Sequence, residues 1–242
     1  MPTVMFATLR RCLLACLGSL ALVVPAAHAQ SAAQLDYAYQ AELKADNEAL
    51  RERIQRLPPA LQALNEQISD ALKAGDQQQA QRVAQEMATQ DPRNADVRMF
   101  LGKLRAQQGD LTGAQEWFDQ AIKLDPDNKW AYVNKAGAQA ELSDLPNALA
   151  TTGALTTRFA HWSIGYNLQA SLLDAMDRPA DALEAYQKAV RAQPASALIL
   201  TNQGNLLRRQ GRLTDARLSY EDALRVQPDY PLAKSALDSL PK

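Results

Sequence analysis

Twelve prolines are spread over 242 residues, and five of them, Pro58, Pro92, Pro126, Pro194 and Pro228, stand on one 34-residue grid that only Ala160 interrupts. A second column, Ala80, Ala114, Ala148, Ala182 and Ala216, keeps the same step, although alanine is common here and counts for less than proline. Turn signals recur at the same phase: Gly75-Asp76, Gly109-Asp110, Ser143-Asp144, Asp177-Arg178 and Gly211-Arg212. Self-similarity at a period of this length means stacked helical units, each burying its apolar face on its neighbours instead of in one central core. A helix of about 13 residues, roughly 20 Å long, is marginal alone, so the stacking itself must hold it.

The period divides the chain into five repeats, 61–94, 95–128, 129–162, 163–196 and 197–230, each expected to hold two helices and a short turn. Small residues stand at one site of the first helices (Gly102, Ala136, Ala170, Gly204). They also stand at two sites of the second, the alanine column and Ala121, Ala189 and Ala223. Bulky Phe118, Tyr186 and Tyr220 lie between them, with Leu104, Leu173 and Leu207 on the first helices. Helix axes come within about 8–10 Å only where side chains are small. In this pattern the chain resembles the tetratricopeptide repeat family. The resemblance implies an all-α, right-handed superhelical solenoid of antiparallel helix hairpins with capping helices at both ends. Two repeats depart from the pattern. The first has Ile68 at the small site and Ala84 at the bulky one; the third has Thr152 at the bulky site, Leu155 for alanine and Ala160 for proline. In the third, this points to loose packing of the second helix or a local change in curvature.

Ahead of the repeats, residues 1–29 read as a secretory signal peptide. Arg10-Arg11 closes a basic segment, Cys12–Val24 is a 13-residue apolar run, and Ala27-His28-Ala29 is a small-x-small cleavage pattern. The run is short of the roughly 20 residues a membrane-spanning helix needs. Cleavage after Ala29 is therefore favoured over a retained anchor, and over lipid attachment at Cys16, which apolar sequence follows on both sides. The mature chain would be periplasmic or secreted, with no transmembrane span. Residues 30–60 follow with helical spacing of Leu35, Tyr39, Leu43, Leu50, Ile54 and Leu57. They read as a cap or degenerate half-repeat. The alternative is a dimerising coiled coil, against which Asp46 and Arg53 fall where apolar residues are needed. At the other end, residues 231–242 place Leu232, Ala236, Leu237 and Leu240 on one face, as a C-terminal capping helix would.

The chemistry available to such a chain is narrow. Cys12 and Cys16 leave with the signal, which removes thiolate–metal sites, disulfides and cysteine nucleophiles; His161 is then the one histidine left. No P-loop, G-x-S-x-G, EF-hand or H-E-x-x-H pattern occurs. No catalytic residue, metal or other cofactor is expected, nor a small-molecule substrate. With 26 basic and 27 acidic residues the chain lacks the basic stripe that nucleic acid requires.

What remains is binding of protein. The resemblance implies that a peptide or partner helix docks in the concave groove of the first helices. Projected in register, that groove is lined by Met99, Lys103, Trp130, Val133, Asn167, Ser171, Asp174, Asn205 and Arg208. Apolar residues sit in the middle and polar ones at the ends, as in a hot spot with a rim. Trp130 has two readings of equal standing, a binding anchor or a residue sealing the joint with the preceding repeat. The carboxylate clamp of chaperone-binding relatives would need lysine, asparagine, asparagine, lysine and arginine where this chain has Met99, Lys103, Asn134, Ile164 and Leu168, so that use is excluded. The sequence thus points to a non-enzymatic scaffold of the bacterial envelope. By analogy it would serve pilus or secretion assembly, outer-membrane biogenesis or cytochrome maturation; the alternative is a structural protein self-associating through residues 30–57.

Overall fold

The computed structural model describes residues 36–241, so the signal sequence read at 1–29 lies outside the described residues. Among the described residues there are twelve helices and no strand. The first, α1 (Tyr37–Gln55), precedes five pairs: α2 (Pro59–Lys73) and α3 (Gln77–Gln90), α4 (Ala95–Gln107) and α5 (Leu111–Leu124), α6 (Lys129–Glu141) and α7 (Leu145–Arg158), α8 (Ser163–Ala175) and α9 (Pro179–Ala192), α10 (Ala197–Arg209) and α11 (Leu213–Val226). A short α12 (Pro231–Asp238) ends the chain. This is the all-α solenoid architecture that the 34-residue period predicts.

Local chemistry sets the ends of these helices. After every first helix the chain takes one residue into the left-handed region: Gly75, Gly109, Ser143, Asp177 and Gly211, with φ of 75°, 84°, 62°, 56° and 74°. At each, the next N–H bonds five residues back, as in Asp76 to the Ala71 carbonyl and Arg178 to the Leu173 carbonyl. That six-to-one closure satisfies carbonyls the helix would leave orphaned. Side-chain caps open many of the following helices: the carboxylate of Asp76 accepts from Gln79 N–H, that of Asp110 from Gly113 N–H, and the Asn94 amide oxygen from Val97 N–H.

By contact the chain divides into two compact units, with the division at Asp144/Leu145 inside the third repeat. One unit is Lys44–Asp144; the other is made of residues 36–43 and 145–241, so α1 contributes residues to both. The core of the first runs from Leu61, Leu64 and Ile68 through Val83, Ala84 and Met87 to Phe100, Leu101 and Leu104. Here the two irregularities of the first repeat explain one another. In α4/α5 the small residue is Gly102 and the bulky one Phe118, and a Cβ on Gly102 would stand 2.6 Å from the ring. One period earlier the same two sites hold Ile68 and Ala84, both buried in one cluster. Large and small have changed sides, which conserves the volume of the crossing.

In the second unit, Ala170, Ala182, Ala185 and Tyr186 form one cluster, and Leu207, Ala216, Tyr220 and Leu240 another, which Ala236 and Leu237 of α12 join. Leu232, expected on the same buried face, instead stays 41% exposed. The departures in α7 do not loosen it within this unit. Thr152 and Leu155 are fully buried, and the Thr152 and Thr156 hydroxyls turn back to the Leu149 and Thr152 carbonyls. The substituted side chains dispose of their polarity locally and still fill the interior.

Candidate functional site

The first helices present their N-terminal ends to α1, and polar side chains make most of the specific contacts. In the unit Lys44–Asp144, the Trp130 indole N–H at the start of α6 donates to Asp46 Oδ2 at 2.6 Å, and Lys129 Nζ lies 4.0 Å from Asp46 Oδ1. Arg53 makes a two-pronged pair with Asp96 of α4, Nε to Oδ2 and Nη2 to Oδ1, both at 2.9 Å. Burial and the Asp96 partner act in opposite senses on Arg53, and the hydrogen bond wins, holding its pKa above the ordinary value. Leu50, Ile54 and Leu57 close over Ile68, Val97 and Phe100, leaving a cavity of about 60 Å³.

The other unit repeats this arrangement with different residues. The Trp162 indole N–H, just ahead of α8, donates to Glu42 Oε1 at 2.6 Å. Asp36 is wholly buried: its Oδ1 caps α1 through Tyr39 N–H at 2.7 Å, while Oδ2 accepts from Leu198 N–H at 2.8 Å and the Ser196 hydroxyl at 3.1 Å. A carboxylate at the N-terminus of α10 meets free N–H groups and the positive end of the helix dipole. Tyr37 donates its N–H to Gln227 and its hydroxyl to Asp229, whose carboxylate holds the phenol above its ordinary pKa. A second cavity, about 150 Å³, lies among Tyr39, Glu42, Trp162, Asn167, Ser196 and Ile199, with exposed His161 at its edge.

The nine residues projected as groove lining divide in three. Met99, Lys103 and Val133 are buried, at 6%, 3% and 1% exposure. Trp130 and Asn167 face α1, the first by its hydrogen bond to Asp46 and the second in the cavity beside Tyr39 and Glu42. Ser171, Asp174, Asn205 and Arg208 bond within their own end of the chain. Tyr186 Oη meets Ser171 Oγ and Tyr220 Oη donates to Asn205, each across 15 residues of sequence; Asp174 accepts from Arg209, and Arg208 donates to Ser239. The Ser171 and Asn205 sites thus serve the tyrosines of the second helices. At the equivalent site, Lys103 stands 15 residues before Phe118, which has no hydroxyl to offer.

Projection from the sequence misses Asp36, Glu42, Asp46, Asp96 and Trp162. One signal for them was present. Asp46 and Arg53 break the apolar stripe of α1, and these two polar side chains bond to α6 and α4.

Comparison with known proteins agrees with the fold. The family model described as tetratricopeptide repeat matches residues 65–129 and 167–231, a little over half of the chain. Among solved structures, MamA 41-end from Desulfovibrio magneticus RS-1 is similar at a TM-score of 0.60 and 20% identity, over 71% of this chain and 97% of that one. YrrB, described as a TPR protein with an unusual peptide-binding site, is similar at 0.57 and 16%, over 79% of this chain and 96% of that one. At such identities these likenesses speak for the fold, whereas the family model speaks for the sequence as well. The chain belongs to the tetratricopeptide repeat family.

Proposed function

We propose that this protein is a non-enzymatic adaptor of the bacterial cell envelope that binds a peptide or helix of another protein on its first-helix face, in the assembly of an envelope complex. The fold is that of a protein–protein interaction scaffold, and repeat solenoids put their function in such surfaces. The observation that carries the reading is the docking of α1. In each unit, helix-forming sequence lies on the ends of the first helices through a tryptophan N–H, joined by Lys129 and Asp96 in one and by Leu198 N–H in the other. A surface that accepts one helix by such contacts is suited to accept another. The peptide-binding site named for YrrB is consistent with this use. Envelope location rests on the signal-like sequence at 1–29.

The self-association reading is less well supported. Leu50 and Ile54 of α1, with Leu57 just after it, face the chain's own helices, and Lys44, Glu48, Arg51 and Glu52 face solvent, so the exposed side of α1 carries charge where a coiled-coil seam needs apolar residues. The test is photo-crosslinking in intact cells, with the reactive residue at half-buried Ser69 on the first helix α2 or at exposed Arg208 on the first helix α10, and at exposed Gln85 on the second helix α3 as control. Discrete adducts from the first two and not from the control are expected, together with a mature N-terminus at Gln30. Equal labelling from all three, or a cytosolic protein that keeps Met1, would refute the proposal.

A further inference from the structure

The cavity of about 150 Å³ lies wholly within the unit made of residues 36–43 and 145–241, and part of its polar lining is left unused by the protein. Some lining groups satisfy one another or the backbone. Trp162 donates to Glu42, and the Ser196 hydroxyl donates to Asp36 and accepts from Ile199 N–H. Ser163 and Asn167 differ. Both line the cavity, both are only 9% exposed, and they stand four residues apart on α8, so they share a face. Asn167 spends its amide oxygen on Asn202 Nδ2 at 3.0 Å, and among the described residues its own Nδ2 hydrogens and the Ser163 hydroxyl find no partner. Half-buried Gln193 lines the same cavity, and its side-chain amide is likewise unbonded among the described residues. One period on, Gln227 shows what a glutamine at this site does, since its Oε1 accepts the Tyr37 N–H at 3.2 Å. Buried polar groups are ordinarily paired, so a cavity with donors and acceptors left over is built for an occupant.

We propose that this cavity takes the neutral carboxamide side chain of a glutamine in the partner peptide. A carboxamide both donates and accepts, which matches an Asn167 Nδ2 that needs an acceptor and a Gln193 Oε1 that can take an N–H as Gln227 does. The volume is that of a cavity able to hold about six heavy atoms, enough for the whole side chain. Its methylenes would lie against Ile164 and Ile199. Charge also selects a neutral group. A carboxylate would be set beside Glu42, and an ammonium would meet the positive end of α8, whose first turn supplies Ser163 and Ile164. His161, exposed at the edge, keeps its contact with water. The inference rests on the adaptor reading above and names a side chain that the partner inserts.

The test is a titration of the purified, nitrogen-15-labelled protein with N-acetyl-glutamine methylamide, followed by the Trp162 indole and Asn167 side-chain resonances. The corresponding glutamate, lysine and leucine compounds are run beside it. Saturating shifts are expected with the glutamine probe at about millimolar concentration, the range for so few atoms, and at least roughly tenfold weaker binding of the other three. Gln193→Ala removes an acceptor without breaking any hydrogen bond of the described fold, and should weaken the glutamine probe roughly tenfold. Asn167→Asp keeps the shape and the acceptor for Asn202 but loses the donor, and should do the same at an unchanged melting temperature. Shifts that never saturate, equal binding of the four probes, or unchanged binding by Gln193→Ala would overturn the proposal. So would tighter binding of free glutamine than of the capped form, since the ligand would then be a free amino acid and not a peptide side chain. The two proposals can fail separately. Adducts in cells from Ser69 and Arg208 without a response to the glutamine probe remove only this inference, whereas a selective response without adducts keeps the pocket and removes the adaptor role.

Discussion

Gly204→Ala is the substitution whose cost can be worked most closely from the structure. Gly204 is buried in α10, and a Cβ built there would stand 2.5 Å from Tyr220 Cε1, 2.7 Å from Cδ1 and 3.1 Å from Cζ. Tyr220 cannot easily retreat, since its ring is fully buried and its hydroxyl donates to Asn205 at 2.8 Å. Helix propensity favours alanine by about 1 kcal/mol. Overpacking costs about 1–3 kcal/mol, and a ring displaced far enough to lose its hydrogen bond costs about 1 kcal/mol more. The net expectation is destabilisation of about 1–3 kcal/mol, opposite in sign to propensity. The measurement is the urea midpoint by far-UV circular dichroism, compared at unchanged slope. Two controls isolate the cause. In a Tyr220→Leu background the same glycine change should become neutral or stabilising, a coupling of about 1–3 kcal/mol. Gly153, on α7, has nothing within 4 Å of its would-be Cβ, and Gly153→Ala should stabilise by about 1 kcal/mol. A Gly204→Ala chain as stable as wild type, or a penalty that persists in the Tyr220→Leu background, would refute the close approach.

Three further outcomes can be checked on the same purified chain. Ser143 and Asp177 occupy the left-handed turn position that glycine fills elsewhere (φ 62° and 56°). Relief of that strain, about 1–2 kcal/mol, outweighs the extra entropy glycine loses, so Ser143→Gly and Asp177→Gly should each stabilise by about 0.5–1 kcal/mol. The gain should be larger at Asp177, whose charge also opposes ionisation of Asp174, and a loss at both sites would contradict the turn geometry. Burial raises the Tyr220 phenol above its ordinary 10.0, against the opposing pull of Arg208 and Arg209. The native state thus keeps this proton to higher pH than the unfolded chain, and its contribution is complete below pH 10.0 and lost as pH rises through the folded value. Wild type should therefore lose stability faster in alkali than Tyr220→Phe, and parallel curves would count against burial as the cause. Ala182, fully buried in the cluster with Ala170 and Tyr186, should tolerate leucine poorly, at about 1–3 kcal/mol by denaturation, and a silent change would mean the crossing has spare room.

What could be read from the chain without its structure was mostly local. The five turn positions, the cap residues and the pairing of small with bulky sites all join groups within one repeat. Even the exchange at Ile68 and Ala84 is legible once the two are read as one crossing and not as separate defects. The groove projection fared differently. It placed Ser171 and Asn205 on an open surface, although they stand at the same site as Lys103 in later repeats and differ from it in facing tyrosine hydroxyls 15 residues on.

The place of α1 was beyond the reach of periodicity. Its partners stand 84 residues away from Asp46 at Trp130, 120 from Glu42 at Trp162 and 162 from Asp36 at Leu198, none of them a multiple of the 34-residue period. Taken alone, Asp46 and Arg53 are flaws in an apolar stripe. The sequence by itself determined that the chain forms paired helices of set length, turned at set residues, because those choices depend on neighbours within a few turns of helix. Only the tertiary structure decided which face the N-terminal helix covers and that its polar residues hold it there, because burial and hydrogen bonding between distant segments depend on where the stacked repeats bring their helix ends.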